Sequence, residues 1–147
     1  MARKKVLCVC IGNSDRSPVM AAVLCMFLRN TGYTRIIESA GIGESAAKGG
    51  EAATFAVTAT KRIGLDISTH SRRHVDSLNL GEYDLVVTAS DEIAAVMIQK
   101  GVDIKKIYNA QISNPWPVQF QEDYDATFAT ILTAMYRVVT RYFAHFS

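Results

Sequence analysis

Apolar and polar residues follow one another along this chain in blocks that predict strands alternating with helices. A strand buried on both faces is a short continuous apolar run, whereas a helix repeats its apolar side chains every three or four residues. By the first criterion, the predicted strands are 6–10, 35–39, 83–88 and 105–108. By the second, the predicted helices are 17–30, 51–63, 90–100 and 122–143. Glycines that can end a helix follow the first three of them: Gly32, Gly64 and Gly101.

This alternation predicts an α/β fold in which a four-stranded parallel sheet is covered by helices on both faces. The length of 147 residues fits one domain, 1–147, with a substantial core. Ligands of such sheets bind at the carboxyl ends of the strands. We therefore expect Cys10, the loop after Ser39, the turn after Thr88 and the loop around Asn114 to converge on one site.

Composition and charge narrow the classes of partner. The net charge of +2 favours neither a nucleic acid nor a membrane surface, and no apolar run approaches the 18 residues of a membrane span. The first residues lack the apolar segment of a signal peptide, and three cysteines suit a reducing cytoplasm better than a disulfide scaffold. The cysteines and histidines lack metal-site spacing, so neither a metal nor another cofactor is predicted. The oligomeric state stays open.

The segment after the first strand has the features of an anion-binding loop. Gly12 and Asn13 tolerate positive φ, Ser17 is a suitable N-cap, and Pro18 suits the first helical position. A strand, a tight turn and a helix N-terminus in this order direct backbone N–H groups and the positive end of the helix dipole at an anion. The predicted phosphate-binding residues are Ile11, Gly12, Asn13, Ser14, Asp15, Arg16 and Ser17.

Two side chains would add reactivity to this loop. Cys10 ends the strand, and the guanidinium of Arg16 can bind two phosphate oxygens at once. A cysteine that faces a helix N-terminus and a guanidinium is expected to have a pKa well below about 8.5. A thiolate in a phosphate site predicts attack on phosphorus and a cysteinyl-phosphate intermediate. The spacing Cys-x5-Arg alone is weak, because a buried cysteine and a solvated arginine in an ordinary turn would give it too.

The longer run Cys-Ile-Gly-Asn-x-x-Arg-Ser-Pro, placed between a strand and a helix, resembles the phosphate-binding loop of the low-molecular-weight protein tyrosine phosphatase family. The resemblance implies that Cys10 is the nucleophile and Arg16 the phosphate-binding arginine. It also implies that Asn13 holds the turn and that Ser17 stabilises the thiolate and the leaving sulfur. The implied activity is hydrolysis of phosphotyrosine or aryl phosphate monoesters.

Two further segments are similar to those of this family. Glu-Ser-Ala-Gly contains Ser39, and Thr-His-Ser-Arg-Arg contains His70. The resemblance implies that these two residues support the phosphate loop by hydrogen bonds to its asparagine and serine. A loop histidine with one backbone partner is the alternative interpretation of His70.

Three positions depart from the family pattern. Asn114 stands where the family has the aspartate of an Asp-Pro pair, its general acid; an amide cannot supply a proton, and such help is typically worth about 10²–10⁴-fold. Asp15 stands where the family usually has a second cysteine, and its carboxylate should raise the thiolate pKa and repel phosphate. One hypothesis is that a protonated Asp15 supplies the missing acid. Trp116 is the candidate aromatic wall of the pocket, because the loop after Ser39 has no aromatic residue.

The favoured interpretation is a phosphatase whose substrate is a phosphorylated protein or a small aryl phosphate. Its activity would be reduced by the amide at Asn114. The alternative is a non-catalytic module that binds phosphate or a phosphopeptide, which Asn114 and Asp15 both favour. Arsenate reduction on the same fold ranks lower, because that chemistry needs further cysteines and residues 71–147 contain none.

Overall fold

The computed structural model describes residues 4–29, 31 and 35–143. Its sheet has four parallel strands in the order β2-β1-β3-β4, which confirms the predicted sheet. Strand β1 therefore lies in the interior of the sheet, and its last residue, Cys10, is paired with Gly41 of β2. The strands are β1 (Lys4–Cys10), β2 (Arg35–Gly41), β3 (Leu85–Thr88) and β4 (Ile107–Asn109).

Helices cover both faces of this sheet, also as predicted. Helices α1, α3 and α5 pack with Val6 and Cys8 of β1 on one face, and α4 packs with Leu7 and Val9 on the other. Within the described ranges, no helix is both long and apolar enough to cross a membrane. The helices are α1 (Arg16–Leu28), α2 (Glu44–Ala47), α3 (Thr54–Lys61), α4 (Asp91–Gln99) and α5 (Gln121–Tyr142).

The start of α1 differs from the prediction. The helix begins at Arg16, and its N-cap is Asp15 rather than Ser17, although the Asp15 side chain caps no helix N–H. Ser17 does not cap the helix, because its hydroxyl contacts Cys10 Sγ and accepts from Asn13 Nδ2. The predicted end of this helix, at 30, and the glycine at 32 lie outside the described residues.

The segment between β2 and α3 also differs. Residues 44–47 form the short helix α2, and α3 begins at Thr54 and ends at Lys61, inside the predicted 51–63. Helix α2 has four residues, of which Ala46 is buried, so it leaves no periodic pattern in the sequence. Gly64 and Gly101 both adopt positive φ beyond the ends of α3 and α4, as predicted.

Candidate active site

The loop from β1 to α1, residues 10–17, surrounds the Cys10 sulfur; we call it the phosphate loop. The Asn13 backbone N–H donates to Cys10 Sγ at 3.2 Å, and Ser17 Oγ lies 3.0 Å from the same sulfur. Cys10 is 2% exposed, and it lies at the point where the strand meets the helix N-terminus. The structure therefore places the sulfur inside the ring of the loop, where the loop borders the core cluster that contains Leu7 and Val9.

Asn13 holds the shape of the phosphate loop. Its φ is 55°, so Asn13 rather than Gly12 takes the left-handed conformation, and its Nδ2 donates to Ser17 Oγ at 2.8 Å and to Ser39 Oγ at 3.0 Å. Its Oδ1 accepts from the Arg73 N–H at 2.9 Å, and the ring of His70 is 2.8 Å from its backbone carbonyl through Nε2. Because a carbonyl only accepts, His70 Nε2 carries the proton here.

The segment after β2 presses closely on the phosphate loop. The Ile42 N–H donates to the Cys10 carbonyl at 3.1 Å, and the Gly43 N–H donates to the Ile11 carbonyl at 2.9 Å. A Cβ on residue 41 would lie 2.4 Å from the Ile11 carbonyl oxygen, closer than any side chain allows. Gly41 is therefore required by the approach of the two backbones.

The loop between β4 and α5, residues 110–120, closes the other side of the site; we call it the Asn114 loop. Arg16 is 3% exposed, and its Nη1 donates to the Ile112 carbonyl at 2.8 Å. The Trp116 indole N–H donates to the Asp15 carboxylate, and the Trp116 backbone N–H donates to Asn114 Oδ1 at 3.2 Å. The two loops are thus joined by two hydrogen bonds, each between residues about one hundred positions apart in the sequence.

A cavity of about 160 Å³ lies between these loops. Asn13 and Ser17 are buried behind it, and Ser39 and His70 support the loop from outside rather than lining it. The turn after Thr88, which was expected to converge here, contributes no lining residue; its Ala89 carbonyl instead accepts from the Ile112 N–H at 2.7 Å. The lining residues are Cys10, Ile11, Gly12, Ser14, Asp15, Arg16, Ser45, Asn114 and Trp116.

Sequence reasoning missed two residues near this cavity. Ser45 lines it from α2, a helix that has no periodic signal. The Tyr124 hydroxyl, in the first turn of α5, is buried and has no hydrogen-bond partner among the described residues. Burial chiefly raises the pKa of Tyr124, and the charges of Asp15 and Cys10 raise it further, while Arg16 lowers it.

A larger cavity, of about 450 Å³, lies behind the phosphate loop, and its described lining residues include no cysteine. It is bordered by Ser39, His70 and Arg73, which all contact Asn13. In His70, burial chiefly lowers the imidazole pKa, the bond to Asn13 opposes this, and the nearby arginines lower it further. A neutral imidazole with its proton on Nε2 fits the bond that it makes.

The electrostatics of Cys10 differ from the expectation of a lowered pKa. Burial raises the pKa of the Cys10 thiol, hydrogen bonding from Ser17 opposes the rise, Asp15 adds to it, and the Arg16 charge lowers it. The expectation was wrong because it counted the helix terminus and the guanidinium but not the removal of the sulfur from water. Burial also raises the pKa of Asp15, against the opposing effects of the Trp116 bond and of Arg16.

Comparison with known proteins gives one family. A family model described as low molecular weight phosphotyrosine protein phosphatase matches residues 5–134. Over 84 residues the chain is 32% identical to the low molecular weight protein-tyrosine-phosphatase Wzb of Salmonella typhi, which covers 57% of this chain and 52% of Wzb. The chain thus spans about half the length of the curated relatives that it matches.

Solved structures share the fold across nearly the whole chain. Wzb of Vibrio vulnificus in complex with benzylphosphonate superposes with a TM-score of 0.81 at 24% identity, covering 94% of this chain and 98% of that one. A low molecular weight protein tyrosine phosphatase from T. tengcongensis superposes with a TM-score of 0.82 at 22% identity, covering 94% and 99%. At these identities the likeness concerns the fold.

Proposed function

Because this chain belongs to the low molecular weight phosphotyrosine protein phosphatase family, we propose that it hydrolyses phosphotyrosine in proteins or small aryl phosphate monoesters. The observation that carries the proposal is the position of Cys10 Sγ. It lies within the phosphate loop, in contact with the Asn13 N–H and Ser17 Oγ, and it lines the same cavity as Arg16. A nucleophile, a ring of amide donors and a fixed cation are the parts that phosphoryl transfer from an ester requires.

In the first step, the Cys10 thiol releases its proton to water and the resulting thiolate attacks phosphorus, so that a P–S bond forms while the ester P–O bond breaks. The electron pair leaves with the aryl oxygen, and Arg16 and the loop N–H groups bind the equatorial phosphate oxygens. In the second step, water attacks phosphorus and loses its proton to solvent, while the P–S bond breaks and its electron pair returns to the sulfur. Ser17 is 3.0 Å from the sulfur and can donate its hydroxyl proton in a hydrogen bond to the departing thiolate.

Asn114 determines whether the leaving oxygen receives a proton or only a hydrogen bond. Its Oδ1 accepts from the Trp116 N–H, so the Nδ2 amide group remains as a donor toward the cavity that Asn114 lines. An amide can hydrogen-bond to the leaving oxygen but cannot transfer a proton to it. The rate should therefore fall steeply as the pKa of the leaving phenol rises, and p-nitrophenyl phosphate should be cleaved faster than phosphotyrosine.

Asp15 is the alternative proton source. Its carboxyl group lines the cavity, and burial raises its pKa, which favours the protonated form that an acid catalyst needs. The test is the pH–rate profile with phenyl phosphate. If Asp15 is the acid, Asp15→Asn lowers kcat and abolishes the basic limb; an unchanged kcat and profile exclude this role.

The central experiment is to trap the cysteinyl phosphate after rapid mixing with p-nitrophenyl phosphate and acid quenching. The proposal expects one phosphate on Cys10 and none in Cys10→Ser. Cys25→Ser, a cysteine variant on α1 away from the cavity, is the matched control and should label like the wild type. Turnover without any phosphorylated Cys10 would contradict the mechanism.

The second candidate is a module that binds phosphate or a phosphopeptide without cleaving it. The amide at Asn114 and the raised pKa of Cys10 both favour it, because they remove the acid and oppose the thiolate. No turnover of either p-nitrophenyl phosphate or phosphotyrosine, together with measurable binding of inorganic phosphate, would support this module over the phosphatase.

A further inference from the structure

The carboxylate of Asp15 does not cap helix α1, although Asp15 occupies the N-cap position. Asp15 is the N-cap of α1, where an aspartate ordinarily accepts from a helix N–H and stabilises the helix by about 1 kcal/mol. Here the side chain makes no cap bond and accepts instead from the Trp116 indole N–H. The helix forgoes this stabilisation while the phosphate loop gains a contact with the Asn114 loop.

Trp116 is held at three points. Its indole N–H is bound by Asp15, its backbone N–H by Asn114 Oδ1, and its ring lies against Phe55 of α3, with 6.2 Å between the ring centroids. Trp116, Asn114 and Asp15 line the same cavity as Cys10. A change in the position of the indole would therefore move one wall of the cavity.

We propose that Asp15 is a positioning residue that holds the Trp116 indole as the aromatic wall of the cavity, so that the site prefers aryl phosphates over alkyl phosphates. The proposal deepens the proposed function and rests on it. The bond needs only an acceptor oxygen on residue 15, whereas the preference needs the aromatic ring. These two requirements can be separated by substitution.

The chain offers a matched pair of variants at this position. Asp15→Ala removes the acceptor and the charge, whereas Asp15→Asn removes the charge and keeps an acceptor oxygen. Trp116→Phe keeps an aromatic ring but removes the indole N–H that Asp15 binds. The loss of charge alters the affinity for every phosphate alike, so the informative quantity is the ratio of affinities for two ligands.

The experiment measures competitive inhibition, or direct binding by calorimetry, of phenylphosphonate and methylphosphonate. The wild type and Asp15→Asn should prefer phenylphosphonate by the same ratio. Asp15→Ala and Trp116→Phe should each lower that ratio by about threefold to tenfold, as when one aromatic contact is lost. The double variant should lose no more than either single variant, because both remove one interaction.

Indole fluorescence gives a second readout, since Trp116 is the only tryptophan of the sequence. Asp15→Ala should shift the emission to longer wavelength and increase quenching by acrylamide, while Asp15→Asn should match the wild type. A phenyl-to-methyl ratio in Asp15→Ala equal to that of the wild type would overturn the proposal, as would unchanged emission and quenching. If neither phosphonate binds the wild type, the proposed function fails at the phosphate loop, and emission and quenching alone decide the role of Asp15.

Discussion

Two side chains at the cavity, Asp15 and Asn114, bear on the proposed hydrolysis of phosphate esters. Asn114 offers a hydrogen-bond donor where the family resemblance implies an acid, and Asp15 adds a buried carboxyl group to the same cavity. At each position a single substitution would restore the residue that the family pattern has. The chemistry of the site can therefore be tested by conservative substitutions that exchange one side-chain nitrogen and oxygen.

The first prediction concerns Asn114. Asn114→Asp replaces an amide nitrogen with a carboxyl oxygen of nearly the same shape and keeps the acceptor for the Trp116 N–H. It should raise kcat for phosphotyrosine by about 10²–10⁴-fold, the usual contribution of a general acid, and raise kcat for p-nitrophenyl phosphate much less. Asn114→Ala is the control and should show neither gain. Equal gains on both substrates would contradict the argument.

The second prediction concerns the pH dependence of stability through Asp15. Burial raises the folded-state pKa of Asp15, so the folded chain binds this proton more tightly than the unfolded chain. Its contribution is fully present below the ordinary value of about 4 and is lost as pH rises through the raised folded-state pKa. Asp15→Asn should therefore unfold at a higher temperature than the wild type at pH 7, with a difference that shrinks toward pH 4.

Thermal unfolding of both proteins across this range, followed by circular dichroism, is the measurement. Asp66→Asn is the control, because the carboxylate of Asp66 is exposed and its hydrogen bond to Ser68 lowers its pKa, which gives the opposite sign. A difference between Asp15→Asn and wild type that grows toward acid pH would refute the prediction.

Among the elements, the phosphate loop depends most on one backbone conformation. Asn13 combines a φ of 55° with five hydrogen bonds: three through its side chain, one through its backbone N–H and one to its carbonyl. The sequence indicated that Gly12 or Asn13 would take positive φ, and the side-chain bonds to Ser17 and Ser39 explain why Asn13 does. A glycine could adopt the same backbone but would leave these partners without a donor.

The third prediction separates the two roles of Asn13. Asn13→Gly keeps the left-handed backbone and should lower the free energy of unfolding by about 1–3 kcal/mol, because the Arg73 N–H loses its acceptor. Asn13→Ala loses the same bonds and adds the left-handed penalty of about 1–2 kcal/mol for a side chain with Cβ. Urea unfolding measures both values. Equal losses in the two variants would show that the backbone conformation costs nothing here.

Local patterns predicted the strands and long helices because burial on one or both faces dictates their apolar spacing. They missed α2, since four residues with one buried side chain carry no period. They also misplaced the N-cap of α1, because Ser17 satisfies every local rule for a cap but is used by Asn13 and Cys10. The sequence thus predicts those elements whose apolar spacing is dictated by packing on the sheet. It does not predict those whose side chains are used in the candidate site.

At the scale of the whole molecule, the parallel sheet determines where the site lies. Cys10 and the segment after β2 meet at one edge because parallel strands end on the same side. The contacts of Asp15 with Trp116 and of Arg16 with Ile112 could not be predicted in this way. They join loops that are distant in the sequence, and those loops meet only because β4 lies in the same sheet as β1 and α5 packs against that sheet.

The fourth prediction concerns this packing. Ile131 of α5 is completely buried in the core that α1, α3 and α5 share, whereas Ile104 is 67% exposed. Ile131→Ala should lower the free energy of unfolding by about 2–5 kcal/mol through lost burial and the cavity that remains. Ile104→Ala, the same chemical change at the surface, should alter it by less than about 0.5 kcal/mol. Urea unfolding compares the two, and similar losses would contradict the assigned burial.

Strand β1 lies between β2 and β3 and ends in Cys10, so an interior strand of the sheet and the phosphate loop are continuous. Functional loops in many proteins open independently of the rest of the molecule, and their amides exchange with solvent deuterium rapidly. Here we expect the amides of residues 6–10 to be among the slowest to exchange, and proteases to spare this segment until global unfolding. The phosphate loop would then open only when the whole molecule unfolds.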